Sequence, residues 1–131
     1  MNQFSGAGVA IITPFKEDKS IDFESLEKLV NHLIDEHINY LVVLGTTGES
    51  VTLTRDERIE IIEFVVQVNG GRIPIVMGMG GNNTREVVYE IEKFNFSGID
   101  ALLSVAPIIT NPANRDFMNI IMLWPKQVPY P

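Results

Sequence analysis

The stretch "YLVVLGTTGESVTLTRDER", Tyr40 to Arg58, holds a complete strand-turn-helix unit and decides the fold. Tyr40 to Gly45 is a short, continuous apolar run, as in a strand buried on both faces. "GTTGES", Gly45 to Ser50, follows as a turn. Thr54-Arg55-Asp56-Glu57 then reads as a capping box, in which the Thr54 hydroxyl and the Glu57 carboxylate each satisfy a backbone N–H of the other residue. Ile59, Ile61, Ile62, Val65 and Val66 form the apolar side of the helix that opens there, and Gly70-Gly71 stop it.

The same unit lies on both sides. Upstream, "GAGVAIIT" (Gly6 to Thr13) is a β-branched strand ended by Pro14, and Asp22 caps a helix carrying Phe23, Leu26, Leu29, Val30, Leu33 and Ile34 at helical spacing. Downstream, Ile73 to Gly78 is a strand, Asn83-Thr84-Arg85-Glu86 starts a helix with Val87, Val88, Ile91 and Phe94, and Ala101 to Ala106 is the fourth strand. Strand starts about 30 residues apart predict right-handed βαβ units and a parallel sheet. Two architectures fit. A flavodoxin-like sheet needs about five such strands. A (β/α)8 TIM barrel needs eight in about 250 residues, so this α/β chain of four parallel strands and three helices would be half of one.

The 131 residues suit one globular domain, with 45% hydrophobic and 21% charged side chains. A net charge of -7 argues against a nucleic-acid or anionic-membrane partner, either of which rewards a basic surface. No cysteine is present, so disulfides and thiolate metal sites are excluded, and no metal or cofactor is expected. The N-terminal "MNQFSGAGVAIITPF" lacks the basic start and long apolar core of a signal peptide, which predicts a cytoplasmic location.

In parallel α/β folds ligands gather at the carboxyl ends of the strands, here "TPFKEDKS", "GTTGES" and "GMGGNNT". "GTTGES" offers two hydroxyls and several backbone N–H groups, a nest for a carboxylate or phosphate, although the Gly-Lys-Ser/Thr ending of a P-loop is absent. Equally, its hydroxyls could satisfy their own backbone. "GMGGNNT" could line a site, but its glycines and asparagines read rather as turn and cap. Glu49 is a candidate acid or base but is expected rather as a partner of loop N–H groups or of a neighbouring helix, and His32 and His37 as surface or packing residues. A Schiff-base lysine needs burial, usually on a strand. Lys16 and Lys19 fall in a loop, Lys28 and Lys93 on helices, and Lys126 in the irregular C-terminal tail.

"GVAIITPF", "LGTTGESVTLTRDER", "GRIPIVMGMGGNNT" and "SGIDALLSVAP", in this order and spacing, resemble the N-terminal half of the dihydrodipicolinate synthase family, within the pyruvate-dependent class I aldolase and lyase superfamily. The resemblance covers about residues 4 to 107. It implies a TIM barrel that binds pyruvate as a Schiff base and condenses it with aspartate semialdehyde in lysine biosynthesis, assembled as a homo-oligomer, dimer or tetramer. It implies that Thr47 contacts the pyruvate carboxylate and that Thr46 is the middle member of a tyrosine-threonine-tyrosine proton relay. Related N-acetylneuraminate lyases and keto-deoxy sugar acid aldolases share the scaffold. A non-catalytic half-barrel that binds a small anion or a partner chain is the competing class. The Schiff-base lysine, the proton-donating tyrosine and the entrance arginine are implied to lie in the C-terminal half, so this truncated chain is expected to be inactive, with open sheet edges that invite aggregation or pairing with another copy.

After the fourth strand the pattern breaks. Where the family has Pro-Tyr-Tyr-Asn, the chain has Pro107-Ile108-Ile109-Thr110. Read in the alternative frame, as if one nucleotide were lost near the Pro107 codon, the message can encode Tyr-Tyr-Asn and a family-like continuation; Met118-Asn119 is forced to Glu and Trp124-Pro125 to Ala. Residues 1–107 are therefore expected to form the partial barrel, and 108–131 an aberrant tail that is out of frame or a sequencing artefact mimicking one.

Overall fold

Strands and helices alternate along the chain: β1 (Gly8–Ala10), α1 (Phe23–Asp35), β2 (Tyr40–Val43), α2 (Arg55–Asn69), β3 (Ile75–Gly78), α3 (Thr84–Lys93) and β4 (Ala101–Leu103). A two-residue β5 (Ile121–Met122) pairs antiparallel with β4. The computed structural model describes residues 3–81, 83–104 and 121–122. Pro107-Ile108-Ile109-Thr110 and, apart from β5, the expected out-of-frame tail lie outside the described residues.

Helix starts follow from local chemistry. The Asp22 carboxylate accepts the Ser25 N–H at 3.0 Å and the Ser25 hydroxyl at 2.7 Å. These bonds favour the ionised form and hold Asp22 below its ordinary pKa. At α2, the Thr54 hydroxyl accepts the Glu57 N–H at 3.2 Å while the Glu57 carboxylate accepts the Thr54 N–H at 2.8 Å, completing the capping box. Gly70 ends α2 with a left-handed φ of 55°. Asn83 caps α3, accepting the Arg85 N–H at 3.2 Å.

The strand order, β1-β2-β3-β4-β5, decides between the two architectures. A flavodoxin-like sheet places its first strand between the second and third. A barrel adds every new strand on the same side of the last. β1 to β4 are parallel neighbours in chain order, so the half-barrel forms and the flavodoxin-like alternative falls.

Register sorts the strand residues onto two faces, because successive side chains point in opposite directions. Ile11, Leu41, Val43, Ile75, Met77 and Leu102 join Leu26 and Val30 of α1 and Ile61, Ile62 and Val65 of α2 in one buried cluster. Ala10, Val42, Val76 and Ala101 are successive register partners on the other face. Small and β-branched side chains of this kind fill the interior of a barrel.

The strands are shorter than their apolar runs. β2 stops at Val43 because Leu44, counted in the run, turns to a left-handed φ of 58° and takes the chain out of the sheet. β1 stops at Ala10, although the Ile11 N–H still donates to the Val42 carbonyl at 3.0 Å.

Candidate functional site

Beyond Leu44 the chain forms a 3₁₀ turn, Thr46–Gly48, at the carboxyl end of β2. The Gly48 N–H donates to the Gly45 carbonyl at 3.0 Å and the Glu49 N–H to the Thr46 carbonyl at 3.1 Å. Those bonds leave the N–H groups of Thr46 and Thr47 without a backbone acceptor among the described residues. Both threonines are exposed, and neither hydroxyl is used within the described residues. Four donors thus lie in two adjacent residues at a strand end, a set suited to the two oxygens of a carboxylate.

Two contacts from neighbouring strands fix the turn. Thr13, just past β1 and 5% exposed, donates its hydroxyl to the Gly48 carbonyl at 2.7 Å. At the end of β3, Gly78 lies against the Leu44 carbonyl so closely that a methyl group there would overlap it. Sequence reasoning missed Thr13, Leu44 and Gly78, since each acts through a partner on another strand. Only the Thr-Pro that closes "GVAIIT" hinted that the first strand ends in a hydroxyl.

Glu49 departs from its expected role. Its left-handed φ of 55° turns the side chain out, where it is exposed and has no hydrogen bond among the described residues; only its backbone is used, the carbonyl accepting from the Thr52 hydroxyl at 2.9 Å. Asn83 serves as the helix cap of the Gly-Asn loop, as expected. His32 on α1 and His37 after it are exposed.

Lys16, Lys19, Lys28 and Lys93 occupy the predicted elements and none of them lies on a strand, while Lys126 lies outside the described residues. Lys16, Lys19, Lys28 and Lys93 are all exposed. Lys28 pairs with Glu24 at 2.6 Å, which raises its pKa, opposite to the shift an amine nucleophile requires. Lys93 lies 5.9 Å from the Tyr89 ring centre. Among the described residues no three His, Asp or Glu side chains converge as a metal site requires. Nor is any described helix long and apolar enough to cross a membrane. A cleft on the helix side of β3, lined by Arg55, Arg58, Met79, Glu90 and Phe94 among others, does not include Thr46 or Thr47.

Comparison with known proteins agrees with this geometry. Residues 3–120 match the dihydrodipicolinate synthetase family. The 4-hydroxy-tetrahydrodipicolinate synthase of Parabacteroides distasonis is 56% identical over 110 residues, covering 84% of this chain and 37% of that protein. Among solved structures, dihydrodipicolinate synthase from Aquifex aeolicus aligns with a TM-score of 0.75 and 42% identity over 84% of this chain and 37% of its own. The chloride-inhibited enzyme from Acinetobacter baumannii, solved with pyruvate, gives 0.76 and 41% over 82% and 37%. The chain spans about two fifths of the length of the curated relatives it matches. Sheet order, the Thr46–Thr47 turn and these similarities together place the chain in the dihydrodipicolinate synthetase family.

Proposed function

We propose that this chain is the carboxylate-binding half of a 4-hydroxy-tetrahydrodipicolinate synthase, a cytoplasmic lyase that joins pyruvate to aspartate semialdehyde through a Schiff base. The observation that carries the reading is the Thr46–Gly48 turn, whose free N–H groups and hydroxyls stand at the carboxyl end of a barrel-type strand. The pyruvate bound in the A. baumannii relative supports the substrate. Thr47 binds the pyruvate carboxylate through its hydroxyl and N–H, which leaves the keto carbon facing the barrel axis. Thr46 passes a proton between two tyrosines that the rest of the barrel supplies, since its hydroxyl both donates and accepts.

Chemistry stops short of covalent capture in this chain. An amine attacks a ketone only in its unprotonated form, and a Schiff-base lysine is usually buried, whereas each described lysine is exposed. Residues 108–131 are out of frame, and the proton-donating tyrosine, the Schiff-base lysine and the entrance arginine belong to the rest of the barrel; the whole enzyme is a homo-oligomer. DNA sequence across the Pro107 codon checks the frame, and stops in the alternative frame would refute it. The function is tested by borohydride reduction in the presence of labelled pyruvate and by the condensation assay. Neither a stable adduct nor turnover is expected from this chain, and a labelled lysine would overturn the reading.

A further inference from the structure

We infer that Thr13 is the positioning residue for the Thr46–Thr47 donors: its hydroxyl, reaching from the end of β1, fixes the orientation of the turn that receives the carboxylate. The inference rests on the pyruvate reading of that turn for its ligand, and on geometry alone for the positioning.

Gly48 is buried, so its carbonyl is cut off from water and needs a donor from the protein. Among the described residues no backbone N–H supplies one; the Thr13 hydroxyl does, at 2.7 Å across 35 positions of sequence. Thr13 is itself 5% exposed, one of two buried polar residues among those described, and this is the hydrogen bond its side chain makes. The approach is close on both sides. A Cβ on Gly48 would stand 3.3 Å from the Ile11 carbonyl oxygen and 3.6 Å from Thr13 Oγ1, so the turn is seated directly on the end of β1.

The consequence follows from peptide planarity. A carbonyl held toward β1 fixes the plane of the Gly48–Glu49 peptide, and Glu49 then leaves the turn with a left-handed φ of 55°. The Glu49 N–H, in that same plane, donates to the Thr46 carbonyl, and the Gly48 N–H of the preceding peptide donates to the Gly45 carbonyl. Thr46 and Thr47 lie between the tied ends. Their free N–H groups are thereby pre-set for an incoming carboxylate, and less ordering entropy is lost on binding. Serine in place of Thr13 keeps this device; valine keeps the shape and removes the donor.

The test uses the full chain, ¹⁵N-labelled, as wild type, Thr13→Val and Thr13→Ser. Amide hydrogen exchange at Gly48 and Glu49 is expected to quicken about tenfold in Thr13→Val and to return to the wild-type rate in Thr13→Ser, with the amides of α1 and α2 unchanged. Sodium pyruvate, followed by amide shifts, is expected to bind about tenfold more weakly to Thr13→Val than to the other two. Unchanged exchange at Gly48 and Glu49, or equal exchange in Thr13→Val and Thr13→Ser, overturns the inference. Should Thr13→Val lose its fold, the wild-type hydroxyl proton decides: slow exchange with water supports the bond, and rapid exchange refutes it. Local exchange effects without any pyruvate response in the wild type would leave Thr13 holding the turn and sink the pyruvate reading instead.

Discussion

The backbone carbonyl of Leu44 rests against the bare Cα of Gly78, joining the bend that follows β2 to the last residue of β3. Leu44 is 2% exposed and holds a left-handed φ of 58°, so the bend is both buried and strained. Gly78→Ala places a methyl group into that carbonyl and is expected to cost about 1–3 kcal/mol, read by urea unfolding. Gly45→Ala is the control: its φ is -74° and the nearest atom to an added Cβ is Val42 Cγ1 at 3.8 Å. A change of about 0.5 kcal/mol or less is expected there.

Thr54 and Glu57 open α2 by mutual hydrogen bonds, and these give acid sensitivity with a defined sign. The Thr54 N–H, and after it the Thr54 hydroxyl, hold the Glu57 carboxyl below its ordinary value of 4.5. A carboxyl with a depressed pKa in the folded state contributes stability that is present above the unfolded value and lost as pH falls through the folded one. Unfolding free energy should therefore decline below about pH 4.5 more steeply in the wild type than in Glu57→Gln. Thr54→Ala should cost about 1 kcal/mol at neutral pH. Denaturant midpoints between pH 3 and pH 7 for the three proteins check both statements; parallel pH curves for wild type and Glu57→Gln would contradict the first.

Arg58 of α2 reaches Glu90 of α3 at 3.1 Å, with both side chains 26% exposed. Arg58 Nε is buried and has no hydrogen-bond partner among the described residues, so the guanidinium depends on Glu90 for compensation. Glu90→Gln should destabilise by about 1–3 kcal/mol, and Arg58→Met at the same interface by less than Glu90→Gln, since it removes the charge rather than stranding it. Thermal melts of the two variants decide the order, and a larger loss in Arg58→Met would contradict it.

What the sequence made legible was the chemistry contained within a few residues. Asp22, the Thr54–Glu57 pair and Asn83 cap the helices as their spacing indicates, because a cap bonds N–H groups two or three positions away. Strand order followed from the spacing of the βα units once the barrel reading was preferred. The strand ends were not legible: Leu44 is apolar and reads as strand, and nothing local announces a left-handed leucine. Glu49 misled for the same reason, since its backbone angle decides where its side chain goes. For the site, the threonine turn was visible as a cluster of donors, whereas the Thr13 hydroxyl and the Gly78 seat that hold it arise only when β1, β2 and β3 lie side by side.

On the proposed function, the Thr46–Gly48 turn receives the pyruvate carboxylate without covalent capture. It is tested most directly by titrating ¹⁵N-labelled chain with sodium pyruvate. Saturable shifts of the Thr46 and Thr47 amides that reverse on dialysis and are lost in Thr47→Val are expected. Shifts absent from those two amides, or a pyruvate adduct that survives dialysis after borohydride, would contradict it.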